Sequence, residues 1–386
     1  MKLKTVDAMR IVVTIIRIIT GLLFIFSGLV KAIDPRGLAY KMQEFFEVFG
    51  REGYFTSGMN WFSNYALAFS IFIITLEVLL GVAVLLGWQK KLTAVFLLLL
   101  MLLFTFLTSF VLFSGKIKAC GCFGDCIPIT PVQTFIKDII LLLFVLILLF
   151  FQRFIRPINK PLILILILLV AGIFTIALQL HVLKNLPLVD CLPFKKGNNI
   201  LDLRKTPADA VPDEYSYTFI YTKDGVKKEF KADALPDSTW TFSDRTQVLI
   251  KEGKNNMPLI NDFKLNDADG ADSTEIILRS TSLYYLFFLE FNEPFGNKWQ
   301  NDFKKFVQAN NQLKKIYLIT SQRKAAQIFL QQNNIELNGI FTSDATAIKT
   351  AARSNPALYL MQGPVVKEKW GWAGFDEATE FIKKHN

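Results

Sequence analysis

Residues 97–113 read LLLLMLLFTFLTSFVLF, a stretch whose only polar side chains are hydroxyls. A helix of that composition belongs where water is absent: crossing the hydrocarbon core of a bilayer takes roughly 20 helical residues, with every backbone N–H and C=O satisfied inside the helix. Comparable runs bring the total to five, at about Ile11–Val30, Tyr65–Gly87, Leu92–Phe113, Pro131–Phe151 and Pro161–Leu180. A mean hydropathy of +0.35 and 36 phenylalanines agree with a membrane class. After the fifth run the chain alternates charged and apolar residues as a water-soluble domain does, so two units are expected.

The first run follows Lys2, Lys4 and Arg10 in the manner of a signal peptide. It extends past the usual apolar segment without a small-residue cleavage site, so it is expected to remain as a signal-anchor. Basic residues are retained on the cytoplasmic side. With the N-terminus inside, the short inner segments carry Lys90, Lys91, Arg153, Arg156 and Lys160 besides the leading cations. The longer outer loops carry Lys31, Arg36, Lys41, Arg51, Lys116 and Lys118. An odd number of spans then places the second unit on the periplasmic side of a bacterial inner membrane, together with Cys120, Cys122, Cys126 and Cys191. Much of the net charge of +10 comes from residues that border the spans. The partner this implies is the lipid bilayer, and no nucleic acid.

Charge inside a bilayer is costly, and is paired or functional where it occurs. Arg17 in the first run and Glu77 in the second, which returns, lie at similar depth. One expectation is that they pair across the bundle; the other is that Arg17 extends to the inner headgroups while Glu77 stays protonated. Ser27 and Gly28 are small enough for close helix contact, and Pro35 with Gly37 is expected to end the first helix. Lys31 and Asp34 read as a surface pair or as part of a headgroup site. Thr130, Pro131 and Gln133 fit an N-cap, a first helical position and the reciprocal capping position of the fourth helix. The cysteine stretch is then a short lid before a helix N-terminus, where Lys116, Lys118 and the helix favour thiolate over thiol.

KACGCFGDC, Lys118–Cys126, carries three of the four cysteines, and three chemistries fit it. A pair can cycle between dithiol and disulfide, exchanging with Cys191 or with a partner protein. Two permanent disulfides can tie the lid to itself and to the end of the fifth run. Three thiolates with Asp125 can hold zinc or copper(I), a set short of ligands because the chain's only histidines are His181 and His385. A Cys120–Cys122 bond would close an unusually small, readily reduced ring, and a Cys122–Cys126 bond a less strained one; the sequence leaves the pairing open. His181 reads as a proton acceptor for thiol chemistry or as a boundary residue, and His385 as a disordered terminus.

GLLFIFSGLVKAIDPRG (Gly21–Gly37), LEVLLGVAVLLG (Leu76–Gly87) and CGCFGD (Cys120–Asp125) ahead of a capped apolar helix resemble the DoxX-like membrane proteins, in particular the branch of the methylamine utilisation protein MauE. The resemblance covers roughly the first four runs. It implies a four-helix membrane bundle with the fifth span added, an association with maturation of disulfide-rich periplasmic enzymes, and a likeness to the quinone-coupled disulfide-forming proteins DsbB and vitamin K epoxide reductase. It further implies that Cys120 and Cys122 are the family's Cys-Gly-Cys pair and Glu77 its acidic residue of the second helix. Cys126 and Cys191 lie beyond the motif, and an additional Cys126–Cys191 bridge fits there. Nothing in the chain points to methylamine itself.

Residues 184–257 read as an extended, proline-bearing linker followed by a hairpin, YSYTFIYTKDGVKKEF, turning at Asp224-Gly225. From Leu283, LYYLFFLEF and KKIYLIT read as central strands, and WQNDFKKFVQANN and RKAAQIFLQQNN as helices. NPALYLMQGPVVKEKWG reads as a last strand pair turning at Gln362-Gly363, before a helix from about Phe375. That order over 258–386 is similar to a thioredoxin fold, with Pro356 at the place of its cis-proline. FNEPFGNKW, Phe291–Trp299, occupies the active-site turn without a cysteine, so the domain is expected to bind rather than to exchange electrons. Trp370 and Trp372 are its candidate contacts or else core residues.

The expected architecture is therefore a multi-span α-helical membrane bundle followed by an α/β thioredoxin-like soluble domain. Residues 1–160 form the DoxX/MauE-like bundle, 161–183 the fifth transmembrane helix, 184–257 the linker and hairpin, and 258–386 the thioredoxin-like domain lacking CxxC. The expected activity is thiol–disulfide oxidoreduction that supports oxidation or maturation of periplasmic client proteins. Cys120, Cys122, Cys126, Cys191 and Glu77 would be its working residues and a quinone its acceptor, with no resident metal. The alternative is a non-enzymatic membrane anchor or assembly protein, its cysteines staples and its last domain a partner-binding module. A third is transport or metal handling along Arg17 and Glu77.

Overall fold

The computed structural model describes residues 2–51, 53, 56–117, 121, 124, 126–127, 129–251, 253–293 and 296–385. Cys120, Cys122 and Asp125 lie outside the described residues. The first half comprises α1 (Lys2–Ala32), α2 (Pro35–Arg51), α3 (Thr56–Asn64), α4 (Ala66–Leu86), α5 (Lys90–Ser114), α6 (Pro131–Phe150) and α7 (Pro161–Asn185). Among the described residues, α1, α4, α5, α6 and α7 are long and apolar enough to cross a bilayer.

Glycine lets α1 and α4 meet. A Cβ on Gly81 would stand 2.9 Å from the Gly21 carbonyl, and one on Gly28 2.5 Å from the Val78 side chain, so any larger residue would force the helices apart. α5 and α6 form the second pair, and Val13, Phe24, Leu97, Leu141 and Val145 share the buried core between the pairs. α7 lies against α4, where Gln179 Nε2 donates to Thr75 Oγ1 at 3.0 Å. The expected capping box opens α6: the Gln133 N–H donates to Thr130 Oγ1 at 3.2 Å, and Gln133 Oε1 accepts from the Thr130 N–H at 3.0 Å.

Pro35 begins a helix as well as following one. α1 stops at Ala32, and α2 starts at Pro35, a position whose missing N–H has no intrahelical partner to lose. The apolar side of α2 lays Phe45 and Phe49 against Phe110 and Val111 of α5, so this segment is a packed helix where the sequence suggests a loop.

Beyond α7 come the short α8 (Ile200–Leu203) and an antiparallel sheet of β1 (Glu214–Lys223), β2 (Val226–Lys231) and β3 (Thr241–Lys251), in the order β2-β1-β3. The hairpin turns at Asp224 and Gly225 as expected, both at positive φ, the pair of angles a tight hairpin needs. β3 adds a third strand to it. The remainder is α9 (Thr274–Leu278), β4 (Leu283–Phe288), α10 (Gln300–Asn310), β5 (Lys315–Thr320), α11 (Arg323–Asn333), β6 (Gly339–Thr342), α12 (Ala345–Ala351), β7 (Ala357–Gln362), β8 (Val365–Gly371) and α13 (Phe375–His385). These strands form one sheet ordered β6-β5-β4-β7-β8, parallel among β4, β5 and β6 and antiparallel at β7 and β8.

Because β4 is central, both of its faces are buried. Tyr285 and Phe287 pack on Phe303, Phe306 and Phe375, while Tyr284 and Phe288 face Phe263 and Tyr359. The β7–β8 turn falls at Gly363-Pro364, one residue later than expected, and the Asn355–Pro356 peptide bond is cis. His385 belongs to the last turn of α13 and stacks on Phe381 at 4.2 Å, where disorder was expected. Trp370 and Trp372 are half-buried, Trp370 against Phe381.

Candidate functional site

The cysteine loop leaves α5 at Gly115 and enters α6 at Thr130, with its sharp turns made by glycine. Gly121 and Gly124 both adopt positive φ, and the Gly124 N–H donates to the Gly121 carbonyl at 3.0 Å. A Cβ on Gly121 would meet the Lys41 side chain of α2 at 3.0 Å, and one on Gly124 would lie 3.9 Å from the Val30 carbonyl of α1. These two glycines therefore lie at the junction of α1 and α2. Cys126 is joined to Cys191 by a disulfide, Cα–Cα 4.9 Å, which ties the loop to the segment after α7. Of the expected site cysteines the structure brings these two together; the Cys-Gly-Cys thiols themselves are outside the described residues.

One residue after Val30 stands Lys31, half of a buried charge pair. Lys31 Nζ donates to both Glu77 oxygens, at 2.7 and 2.9 Å, and to Ser27 Oγ at 3.0 Å, and it lies 4.9 Å from the Phe104 ring centre. Its three protons are all used, and both side chains are almost completely buried, at 4% and 3% exposure. The expected Arg17–Glu77 pair does not form. Arg17 sits one turn beyond Gly21, toward the opposite end of the bundle, and donates to the Arg156 carbonyl at 3.1 Å. Glu77 instead finds a nearer cation: with Ser27 and Gly28 facing α4, Lys31 follows on the same helix face. Asp34 does not pair with Lys31 either, as shown below.

A cavity of about 20 Å³ adjoins the pair, lined by Leu23, Phe24, Met101, Phe104, Lys137 and Leu141. That is room for about one water, and the polar groups lining it are Ser27, Lys31, Glu77 and Lys137. Lys137 pairs with the completely buried Asp138 at 2.5 Å. Lys137 and Asp138 are not among the expected site residues; two adjacent opposite charges inside FIKDII, in an otherwise apolar helix, are the signal that could have found them. The bundle thus holds two cations and two carboxylates beneath the cysteine loop.

The C-terminal unit is seated on α2 through charges gathered around Tyr40. Glu293, in the turn that lacks cysteine, accepts from Arg36 Nη1 at 2.5 Å and from the Tyr40 hydroxyl at 3.4 Å. Lys349 reaches Gln43 Oε1 at 3.3 Å, and Arg353 Nε lies 2.8 Å from Asp34 Oδ2. Both cations cover the Tyr40 ring, at 5.2 and 5.4 Å from its centre. Asp34 therefore belongs to the junction of the two units. On the other side of the disulfide, Lys369 Nζ donates to Asp190 Oδ2 at 2.6 Å. Between α2, α12 and Cys191 lies a cleft of about 680 Å³, whose polar walls include Lys41, Glu44, Lys349 and Arg353.

Burial pushes the Tyr40 phenol up to about 12, with Glu293 reinforcing the shift and Arg36 and Arg353 opposing it. An unfolded tyrosine ionises near pH 10. Below that pH both states hold the proton and the seating is unaffected; above it the unfolded chain gives up its proton first, so stability falls between about pH 10 and 12, by up to about 3 kcal/mol. Unfolding of the C-terminal unit measured across this range should show that decline, and Tyr40→Phe should make it shallower without abolishing it, because burial also raises Tyr284, Tyr285 and Tyr359. A slope unchanged in the variant would assign it to another group.

Other expected residues stand apart from this chemistry. His181 is exposed, with Asn185 Nδ2 3.3 Å from its Nδ1. Lys184 approaches the Trp372 ring at 6.0 Å. Among the described residues no three His, Cys, Asp or Glu stand together as a metal site, and the proposed ligands Cys120, Cys122 and Asp125 are not among them.

Comparison with known proteins falls along the same divisions. The three-stranded sheet region, residues 215–252, matches a domain of unknown function, DUF8463. Protein TlpB of Flavobacterium psychrophilum is 34% identical over 139 residues, 35% of this chain and 35% of that protein, so the similarity spans about a third of the relative's own length. Residues 9–151, the part that holds Lys31, Glu77 and the cysteine loop, match the family of the methylamine utilisation protein MauE.

Proposed function

We propose that the chain is a thiol–disulfide oxidoreductase of MauE/DoxX type in a bacterial inner membrane, its second unit on the periplasmic side and Cys120 and Cys122 its exchanging pair. The observation that carries this reading is the Cys126–Cys191 bond. It anchors the loop at one end, and Gly121, the described residue of the motif, lies beside Lys41 of α2. A client dithiol attacks the Cys120–Cys122 disulfide; through a mixed disulfide the client gains the new S–S bond, and Cys120 and Cys122 become thiols holding its two electrons. A membrane quinone takes those two electrons and the two thiol protons, becoming the quinol and restoring the Cys120–Cys122 bond. Glu77 is the carboxylate on the proton route.

The strand order of the C-terminal sheet supports a thioredoxin-like reading of residues 258–386. With Glu293 in the turn where such domains carry thiols, this unit holds a periplasmic client at the cleft and leaves electron transfer to the loop. A second reading, a non-enzymatic anchor or assembly protein, is favoured by the charge network that fixes the unit to α2.

The test is reconstitution in proteoliposomes with a reduced, unfolded dithiol protein and a soluble quinone analogue. One quinol should appear for each disulfide formed. Cys122→Ser should abolish the reaction and Glu77→Gln should slow it. Quinol formation that survives Cys122→Ser contradicts the enzyme reading, and no turnover by folded wild type favours the anchor.

A further inference from the structure

The sheet β1–β3 leaves its surfaces uncovered. Every residue of β3 is exposed, as are the first four of β1 and most of β2. A sheet with a hydrophobic face buries that face against another layer. One face here is aromatic. The register places Tyr215, Tyr217, Phe219 and Tyr221 of β1 level with Phe230 of β2 and with Leu249 and Phe242 of β3. The rings touch in series, Phe219–Phe242 at 6.5 Å, Tyr221–Phe242 at 5.7 Å and Tyr221–Phe230 at 5.7 Å, and Trp240 continues the row beyond Phe230 at 5.2 Å.

Charge is divided between the faces. Lys223, Lys228 and Arg245 share the aromatic face, and among the described strand residues no carboxylate does. Lys223 donates to Thr239 at 2.9 Å, whereas Lys228 lies over Phe230 and Arg245 over Tyr217. Glu214, Glu229 and Asp244 are on the opposite face with Lys227, Lys231 and Lys251, in balance.

We propose that this face, with the adjoining free edge of β3, binds an extended acidic segment of a partner polypeptide. Three features select that occupant. Lys223 has Asp237 nearby, but Lys228 and Arg245 share their face with no strand carboxylate, which calls for an acidic partner and opposes a second copy that would bring the same cations face to face. The rings of β1 recur at every second residue, the repeat at which an extended chain presents side chains to one side. Among the described residues the outer edge of β3 has no neighbouring strand, so its backbone groups can pair with such a segment. The inference needs no thiol chemistry, and its readout is binding, so failure of the redox reading would leave it standing and the reverse.

The experiment uses the full chain in phosphatidylcholine nanodiscs, with a random copolymer of glutamate and tyrosine as the acidic probe and one of lysine and tyrosine as its counterpart. The acidic copolymer should bind about tenfold more tightly and protect amides of residues 215–251 from hydrogen exchange. Lys228→Glu with Arg245→Glu should remove that preference, and Tyr217→Ser with Phe242→Ser should weaken binding without reversing it; these side chains are surface groups, and an intact Cys126–Cys191 bond reports the fold. Equal binding of the two copolymers, or protection elsewhere in the chain, overturns the proposal. So does protection of the sheet without copolymer, whether it rises with protein concentration, which would mean pairing of copies, or with added phosphatidylglycerol, which would mean a lipid surface.

Discussion

Glu77→Leu is expected to destabilise the membrane bundle by about 3–5 kcal/mol, and Lys31→Met by a similar amount. Each leaves one charge in a core that offers it no other opposite partner at hydrogen-bonding distance in the described contacts, since Lys31 spends its donors on Glu77 and Ser27. The double variant should recover most of the loss, because an apolar pair of similar volume needs no compensation there. Thermal unfolding of the detergent-solubilised variants measures all three differences. Single variants as stable as wild type would show that the pair is not buried as described. The double variant also separates structure from chemistry: if it folds but no longer passes electrons to quinone, the Lys31–Glu77 pair belongs to the reaction, and if it turns over normally the pair is a staple.

Cys191→Ser is expected to have the second large effect. The Cys126–Cys191 bond spans a sequence separation of 65 residues, for which chain entropy alone gives about 4 kcal/mol at most. The full amount is an upper bound, because α6 and α7 remain confined by the bilayer even when the rest unfolds. The loss should appear where the bond acts, as faster proteolysis between α7 and β1 and a lower unfolding temperature of the C-terminal unit. Cys126→Ser should match it, and the double variant should be no worse than either single change. Unchanged proteolysis in all three would mean that the charges around Tyr40 hold the unit by themselves.

The spans were legible because an apolar helix that crosses a bilayer has few alternative environments, and the α6 cap because Thr130, Pro131 and Gln133 act within one turn. The hairpin at Asp224-Gly225 was legible for the same local reason. Pairing between distant segments was not. Glu77 was recognised as a buried charge, but depth counted along two ideal helices suggested Arg17, whereas the close approach at Gly21, Gly28 and Gly81 sets a register that presents Lys31. Asp34 looked like a neighbour of Lys31 from spacing alone, and its partner Arg353 comes from the other end of the chain. Lys137 and Asp138 were overlooked because their charges cancel in a hydropathy reading. Pro35 was read only as a stop, although proline at a first helical position also marks a start.

The central claim is that the four cysteines divide into a fixed bond and a working pair. Native membranes should be treated with a mass-tagged maleimide, before and after reductant and quinone, and each cysteine assigned by peptide mass spectrometry. Cys126 and Cys191 should stay untagged until strong reduction in denaturant, while Cys120 and Cys122 should become tagged after mild reduction and lose reactivity again when quinone is added. Four cysteines that remain untagged and indifferent to both treatments, or a Cys126–Cys191 bond that opens together with the others, would contradict that division.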